Sequence, residues 1–157
     1  MGYKLIIGNA KLNIDKEYGY ATVEAEGFRD DSAPAFNEPT DYTSERWPSY
    51  TSWHDAMRFL GLYNLFFDKE SEPLCLINQH SGCVTITKHH KEQIDIAYLN
   101  FYKKYPNAKA GYSPKADDFS IDPDWPLENN YATRLEWLKF WVDYVMVNCE
   151  HPVFYNS

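Results

Sequence analysis

Apolar and polar residues alternate along the first part of the chain. Three segments have strand-like sequence, namely residues 3–7, 10–15 and 20–26. Alternation with a period of two is typical of antiparallel strands with one buried face. Turn-forming residues separate these segments at Gly8-Asn9 and at residues 15–19. We therefore predict a meander of two to three strands, in which Ala21, Val23 and Ala25 share a buried face.

Three later segments repeat apolar residues at helical spacing. The predicted helices cover residues 53–66, 88–105 and 130–149. Ser52 and Thr87 are typical N-cap residues, Gly61 weakens the first helix, and Pro106 ends the second. The third helix has the most regular apolar stripe, formed by Tyr131, Leu135, Leu138, Val142, Val145 and Cys149. A stripe this long predicts a helix at the centre of the core.

Two proline-containing segments without periodicity, residues 28–50 and 107–126, separate these elements. Proline prevents regular helix and central strand, while the aromatic residues of the first segment argue against disorder. The sequence thus predicts an α+β fold. It consists of an N-terminal antiparallel sheet of two to three strands, packed with three helices and two long ordered loops. The length of 157 residues predicts a single domain spanning residues 1–157.

Composition narrows the range of functions. The chain has 15 basic and 23 acidic residues and a net charge of -8, so general nucleic-acid binding is not expected. An apolar run long enough to span a membrane is missing from the sequence, so no membrane association is expected. Three cysteines argue against a disulfide framework, and the first residues lack the apolar stretch of a signal peptide. The expected location is the cytoplasm.

A cluster of cysteine and histidine residues offers two kinds of chemistry. Cys75, His80, Cys83 and His90 have donor atoms that zinc accepts, and Cys83 with His80 or His89 has the elements of a nucleophile and its base. The spacing lacks the two tight pairs of a structural zinc site, and Cys75 lies in an apolar run typical of a buried thiol. We therefore assign no catalytic residue and expect no metal or other cofactor.

An aromatic, hydroxyl-rich segment is the leading candidate for ligand binding. Its candidate residues are Tyr42, Arg46, Trp47, Tyr50, Ser52, Trp53 and His54. Rings stack on planar groups, arginine and hydroxyl groups donate to anionic oxygens, and a helix N-terminus attracts anions. The mixture suits a nucleotide-like ligand. The alternative is a packed loop that leads into an ordinary capped helix.

Three segments give the chain a general resemblance to small uncharacterised bacteriophage and prophage proteins. They are SYTSWHDAMRFLGLYNLFF, HSGCVTIT and CEHPVFYNS. The resemblance covers the style of the whole chain, identifies no functional family and transfers no catalytic residue. It implies a protein that binds and sequesters a molecule of the host.

The sequence favours a non-enzymatic binding module. It would capture a small anionic, ring-containing ligand or a host protein, in the manner of a phage counter-defence factor. One alternative is a small Cys/His hydrolase or zinc-dependent enzyme. Another is a structural subunit of a larger assembly, which the acidic surface and the apolar tail favour. The tail, residues 151–157, suits either docking on the core or a contact between subunits of a homo-oligomer.

Overall fold

In the part of the chain that the structure describes, an antiparallel sheet of five strands is combined with four helices. The computed structural model describes residues 3–34, 44–47, 50–67, 83–111 and 124–156. The strands are β1 (Tyr3–Ile14), β2 (Ala21–Glu26), β3 (Ser44–Trp47), β4 (Cys83–Thr85) and β5 (Pro152–Asn156). The helices are α1 (Tyr50–Phe59), α2 (Tyr63–Phe67), α3 (Lys88–Lys104) and α4 (Leu127–Asn148). The predicted α+β class is confirmed, and the sheet has more strands than the two to three expected.

β1 lies at the centre of the sheet. The strand order is β2-β1-β5-β4, and β3 also pairs with β1. Leu5 and Ile6 each pair with a residue of β3 and a residue of β5, so these two strands lie at opposite edges of β1. Asn9 likewise pairs with β2 and with β5. β2 and β3 therefore follow one another along one edge, and the C-terminal tail docks against the other edge as β5.

Gly8 lies inside β1, so the turn predicted at Gly8-Asn9 is wrong. A Cβ atom on Gly8 would lie 2.1 Å from the backbone oxygen of Glu26. Glycine is needed here because the backbone of the neighbouring chain approaches too closely for any side chain. The apolar residues of β1 also switch from one face of the strand to the other at Gly8. Leu5 before it is fully buried, whereas Leu12 after it belongs to the opposite face and is 62% exposed.

The turn predicted at residues 15–19 is confirmed. The Asp15 carboxylate accepts hydrogen bonds from the backbone N–H groups of Glu17 and Tyr18, both at 2.8 Å. Gly19 follows with a φ of 74°, which favours glycine. The two strands joined by this turn do not have the buried face that alternation predicted. Val23 is 47% exposed, because no described element packs on this part of the hairpin.

α4 is the central helix of the core, as the sequence predicts. It begins at Leu127, three residues earlier than expected, and ends at Asn148. Trp137, Leu138 and Trp141 are fully buried. Other fully buried side chains around them come from β1, α1 and β5, namely Leu5, Ile7, Met57 and Phe154. α3 is also confirmed, with Thr87 at its N-cap and Tyr105 at its C-cap.

Gly61 divides the predicted helix 53–66 into two helices. It has a φ of 72°, and its N–H donates to the Arg58 carbonyl at 3.2 Å, while the Leu62 N–H donates to the Met57 carbonyl at 2.8 Å. This pair of bonds is a Schellman motif, which ends α1 and turns the chain into α2. The start of the helix also differs from the prediction, since α1 begins at Tyr50 and places Ser52 in its first turn instead of at the N-cap.

The two proline-containing segments are described only in part. Residues 44–47 of the first form β3, so this part is a strand and not a loop. Residues 35–43, 48–49 and 112–123 lie outside the described residues, as does the apolar run 74–77, for which the sequence predicts a strand or the turn of a buried segment.

Replacing Gly8 with alanine tests the close approach between β1 and β2. We expect Gly8→Ala to lower the free energy of unfolding by roughly 2–3 kcal/mol, because the backbone must move to admit the methyl group. Gly61→Ala is the control, since its Cβ meets no atom within 4 Å and only its positive φ opposes alanine, at a cost of about 1–2 kcal/mol. Urea denaturation measures both. Equal losses would show that the strands separate easily at Gly8.

Candidate functional site

The aromatic segment forms part of a strand and the start of a helix. Its candidates divide between two elements, with Arg46 and Trp47 in β3 and Tyr50, Ser52, Trp53 and His54 in α1. In the sheet, Arg46 pairs with Lys4 of β1. Tyr42 lies outside the described residues. The structure thus brings six of the seven candidates into one strand–helix unit, with two residues between β3 and α1.

The cysteine and histidine candidates lie in different surroundings. Cys83 is the first residue of β4 and is exposed, yet partial burial raises the pKa of its thiol. A nucleophilic cysteine requires the opposite change, because the thiolate is the reactive form. His89 is exposed on α3. Cys75 and His80 lie outside the described residues.

His90 stabilises the start of α3 and is fully buried. Its Nδ1 accepts a hydrogen bond of 2.9 Å from the Thr87 N–H, which a glutamate accepts in the usual capping box. Its ring packs edge-on against Phe154, with 5.4 Å between centroids. Nδ1 therefore already accepts the hydrogen bond of the helix cap and is not available to bind a metal. Among the described residues, no group of three or more His, Cys, Asp and Glu could hold a metal ion.

An open cavity of about 280 Å³ lies between the turn that ends α1 and the last turns of α3. Phe59, Phe101 and Tyr105 contribute aromatic rings to its wall, and Asn100 and Lys104 contribute polar groups. We call this feature the aromatic cavity. The Gly61 turn forms its remaining side, and the space beside the Gly61 Cα holds no other atom within 4 Å of a Cβ position. A ligand can therefore approach the backbone there.

Phe59 is the central ring of the aromatic cavity. It stacks on Tyr131 of α4 with 4.0 Å between centroids and an interplanar angle of 12°. Tyr105 stacks at 5.6 Å, and Phe101 meets Phe59 edge-on at 6.3 Å. Despite these contacts Phe59 is 41% exposed. The Phe59 ring is therefore held in place by three other rings and keeps part of its surface open to solvent, where a planar ligand can pack against it.

Lys104 is the charged side chain in the wall of the aromatic cavity. Its Nζ lies 5.4 Å from the centroid of the Tyr105 ring. α1 and α3 both end at the cavity, so their last carbonyl groups bring partial negative charge. The Schellman bonds of α1 satisfy two of these carbonyls, and the Tyr105 N–H occupies that of Phe101. The Lys104 ammonium is therefore the group through which the cavity would attract an anion.

The aromatic cavity was not predicted from the sequence. Phe101 and Tyr105 follow Ile94 and Ala97 at the helical spacing of an apolar stripe, and this spacing predicts burial in the core. The available signal was Gly61, because glycine commonly ends a helix and could have divided the predicted helix 53–66 next to Phe59.

A second cluster of titratable groups joins α3 to α4. Lys91 and Lys139 each contact both Asp95 and Asp143, at N–O distances of 2.8–3.0 Å. Burial raises the pKa of Asp95, but the hydrogen bonds from the two lysines outweigh it and lower that pKa. The same hydrogen bonds raise the pKa of Lys91. Burial lowers the pKa of Lys139, but its hydrogen bonds to Asp143 and Asp95 outweigh burial and raise that pKa. We call these four residues the ion-pair quartet.

Glu136 of α4 extends the polar contact between α3 and α4. We call Glu136, its partners and the ion-pair quartet the polar seam. The Glu136 carboxylate accepts a hydrogen bond from the hydroxyl of Tyr98 at 3.0 Å and from that of Tyr102 at 2.6 Å. Burial and the neighbouring Glu136 charge raise the pKa of Tyr102 strongly. Every charge of the seam has a partner of opposite sign or a hydroxyl donor. The arrangement therefore suits helix packing better than chemistry on a substrate.

Comparison with protein families, curated proteins and solved structures finds no match to this chain. Among the described residues, no helix has the length and apolar character needed to cross a membrane. Functional inference for this chain therefore rests on its own residues and their geometry.

The ion-pair quartet predicts a pH-dependent stability. Because folding lowers the pKa of Asp95, its contribution is present above the ordinary value of 3.8 and is lost as the pH falls through the lowered value. We expect Asp95→Asn to cost about 1 kcal/mol between pH 5 and 9, since the groups are about one-third exposed and solvent screens them. The cost should disappear in strong acid. Urea denaturation from strong acid up to pH 9 measures it.

Glu92→Gln is the matched control on the same helix. Glu92 contacts the exposed Lys88 at 4.0 Å, so its removal should change stability by less than about 0.5 kcal/mol at every pH. An Asp95→Asn cost that persists unchanged in strong acid would show that the carboxylate charge is not what stabilises the helix pair.

Proposed function

We propose that this chain is a non-enzymatic binding module that captures a small, planar, ring-containing ligand with a negative charge. The observation that carries the proposal is the aromatic cavity, with Phe59 and Tyr105 as aromatic surfaces and Lys104 as the charged group. Asn100 adds an amide that can donate or accept a hydrogen bond. The four side chains supply aromatic contact, charge and hydrogen bonding, which a nucleotide-like ligand requires.

The size of the cavity limits the ligand. A volume of about 280 Å³ is at the small end of ligand pockets, which range from roughly 300 to 1,000 Å³. One ring system with a short anionic substituent fits this space. At about 0.3 kcal/mol per non-hydrogen atom, a ligand of mononucleotide size would bind with a dissociation constant of about ten micromolar.

The β3–α1 unit remains a second proposed site for the same class of ligand. Its support is the chemistry of Arg46, Tyr50 and His54 and their placement in one strand–helix unit. α1 begins in this unit and ends at the aromatic cavity, a distance of about 15 Å for ten residues. One small ligand cannot span that distance, so the two sites are alternatives that experiment can separate.

Other functions have less support. A Cys/His hydrolase or zinc enzyme is disfavoured by the raised pKa of Cys83 and by the role of His90 in the helix cap. Capture of a host protein, or a place in a larger assembly, has support in the exposed apolar residues of the β1–β2 hairpin, such as Leu12 and Val23. The resemblance to bacteriophage proteins supports a role of the binding module in counter-defence, by sequestration of a host ligand.

Titration with AMP and adenosine tests the aromatic cavity, with binding measured by NMR on the labelled protein. We expect both probes to shift the signals of Asn100 and Tyr105, and AMP to bind about five- to tenfold more tightly, because Lys104 contacts its phosphate. Lys104→Met should remove the preference for AMP and leave adenosine binding unchanged. Lys103→Met is the matched control, since Lys103 neighbours Lys104 on α3 but does not line the cavity.

The same titration separates the two sites. If Arg46→Ala and Tyr50→Ala abolish AMP binding while Lys104→Met does not, the ligand binds at the β3–α1 unit. If neither probe shifts any signal at millimolar concentration, the proposal of a nucleotide-like ligand is wrong.

A further inference from the structure

The β1–β2 hairpin extends beyond the rest of the sheet. β5 pairs with β1 only as far as Asn9, and the Ala10 N–H adds one further bond to the His151 carbonyl. From there to the turn, β1 has β2 as its one described neighbour. Residues 11–14 and 21–24 are exposed. A ribbon of two strands is marginally stable in water, so this extension gains from a further strand.

The outer edge of β2 is open among the described strands. The Asp15 N–H donates to the Tyr20 carbonyl, so the backbone groups of Tyr20 point toward β1. In an antiparallel pair this direction alternates from one residue to the next. The backbone N–H and C=O groups of Ala21, Val23 and Ala25 therefore point away from β1, at the open edge.

This edge has few of the features that usually prevent pairing between molecules. β2 has the sequence ATVEAE, without proline or lysine, and its register with β1 continues from Ala21 to Glu26 without a bulge. Natural proteins protect edge strands with charged side chains, lysine above all, with proline or with bulges. The charges of β2 are Glu24 and Glu26, which share one face, and the opposite face has exposed Leu12 and Val23 beside the open edge. This combination indicates a surface that another strand covers.

We infer that the strand is β2 of a second copy of this chain, paired antiparallel about a two-fold axis at Val23. In this register Val23 lies opposite Val23 of the second copy, and Ala21 lies opposite Ala25. These are the three residues whose backbone groups point outward. The register therefore joins the available donors and acceptors and keeps the apolar faces of both hairpins on the same side of the joined sheet.

Side-chain chemistry supports the same register. Leu12 already lies opposite Val23 within one chain, so the joined sheet contains an apolar row of four residues, two from each copy. On the other face Thr22 lies opposite Glu24, and the Tyr20 hydroxyl can donate to Glu26. A shift by two residues would bring Glu24 opposite Glu24 of the second copy, which like charges oppose.

The association is expected to be weak and to depend on salt. Joining two strands of six residues buries less than the roughly 800 Å² per partner of a standard interface. Each copy also has a net charge of -8, so the two repel one another at low ionic strength. Added salt screens this repulsion and strengthens the dimer. This inference does not depend on the aromatic cavity or its ligand.

Sedimentation equilibrium of the whole chain at rising concentration and salt tests the inference. We expect the mass to rise from 18.4 kDa toward twice that value. The rise should need less protein at 0.5 M than at 0.05 M salt, because the electrostatic screening length is about threefold shorter at the higher concentration. Val23→Lys should hold the mass at one copy, because it places two ammonium groups opposite one another. Ile14→Lys is the control, since Ile14 shares the apolar face and is 58% exposed but lies on β1.

Disulfide trapping then tests the register. With Cys75, Cys83 and Cys149 replaced by serine, Val23→Cys should crosslink two copies on oxidation, because paired Cα atoms about 5.5 Å apart permit a disulfide. Thr22→Cys should not, since Thr22 lies opposite Glu24. A constant single-copy mass in all conditions, loss of the dimer in Ile14→Lys, or equal crosslinking at both positions would each overturn the inference.

Discussion

The pairing of β1 with β5 is the contact on which the other elements depend. It joins residues 5–9 to residues 152–156, and the side chains that it brings together include Ile7 and Phe154, both fully buried. Only three residues separate the end of α4 from the start of β5, so the strand pair also fixes the end of the central helix against the sheet. β4 then pairs with β5, and the buried His90 ring, which caps α3, packs on Phe154. One strand pair thus positions two helices and the far edge of the sheet.

The contact between α3 and α4 combines two kinds of interaction. Apolar residues of α3, such as Ile94 and Phe101, belong to the buried core together with those of α4. The ion-pair quartet and the hydroxyl bonds to Glu136 occupy the solvent side of the same contact. Burial supplies most of the stability, whereas paired charges of fixed geometry suit the alignment of one helix against the other. This alignment places the last turn of α3 beside the end of α1, where the aromatic cavity forms.

Helical periodicity predicted α3 and α4 nearly to their ends, because a buried stripe repeats at a spacing that the sequence itself displays. Asp15 and Gly19, which are typical turn residues, predicted the turn between β1 and β2 equally well. Gly8 was misread because glycine serves both turns and close backbone approach, and the approaching residue, Glu26, is eighteen positions away. The aromatic cavity was missed for a related reason. Phe59 and Tyr105 belong to different helices, and their meeting depends on how those helices pack.

The position of β1 and β5 in the chain has a consequence for protein synthesis. β1 leaves the ribosome before its partner β5, which follows more than 140 residues later. At about 5–20 residues per second, the edge of β1 that β5 covers stays open for roughly 7–30 s. Leu5 and Ile7 lie on β1, so the nascent chain exposes an apolar strand during this time. A chaperone that holds extended apolar segments would meet this chain early, and its release would be timed by the arrival of residues 152–156.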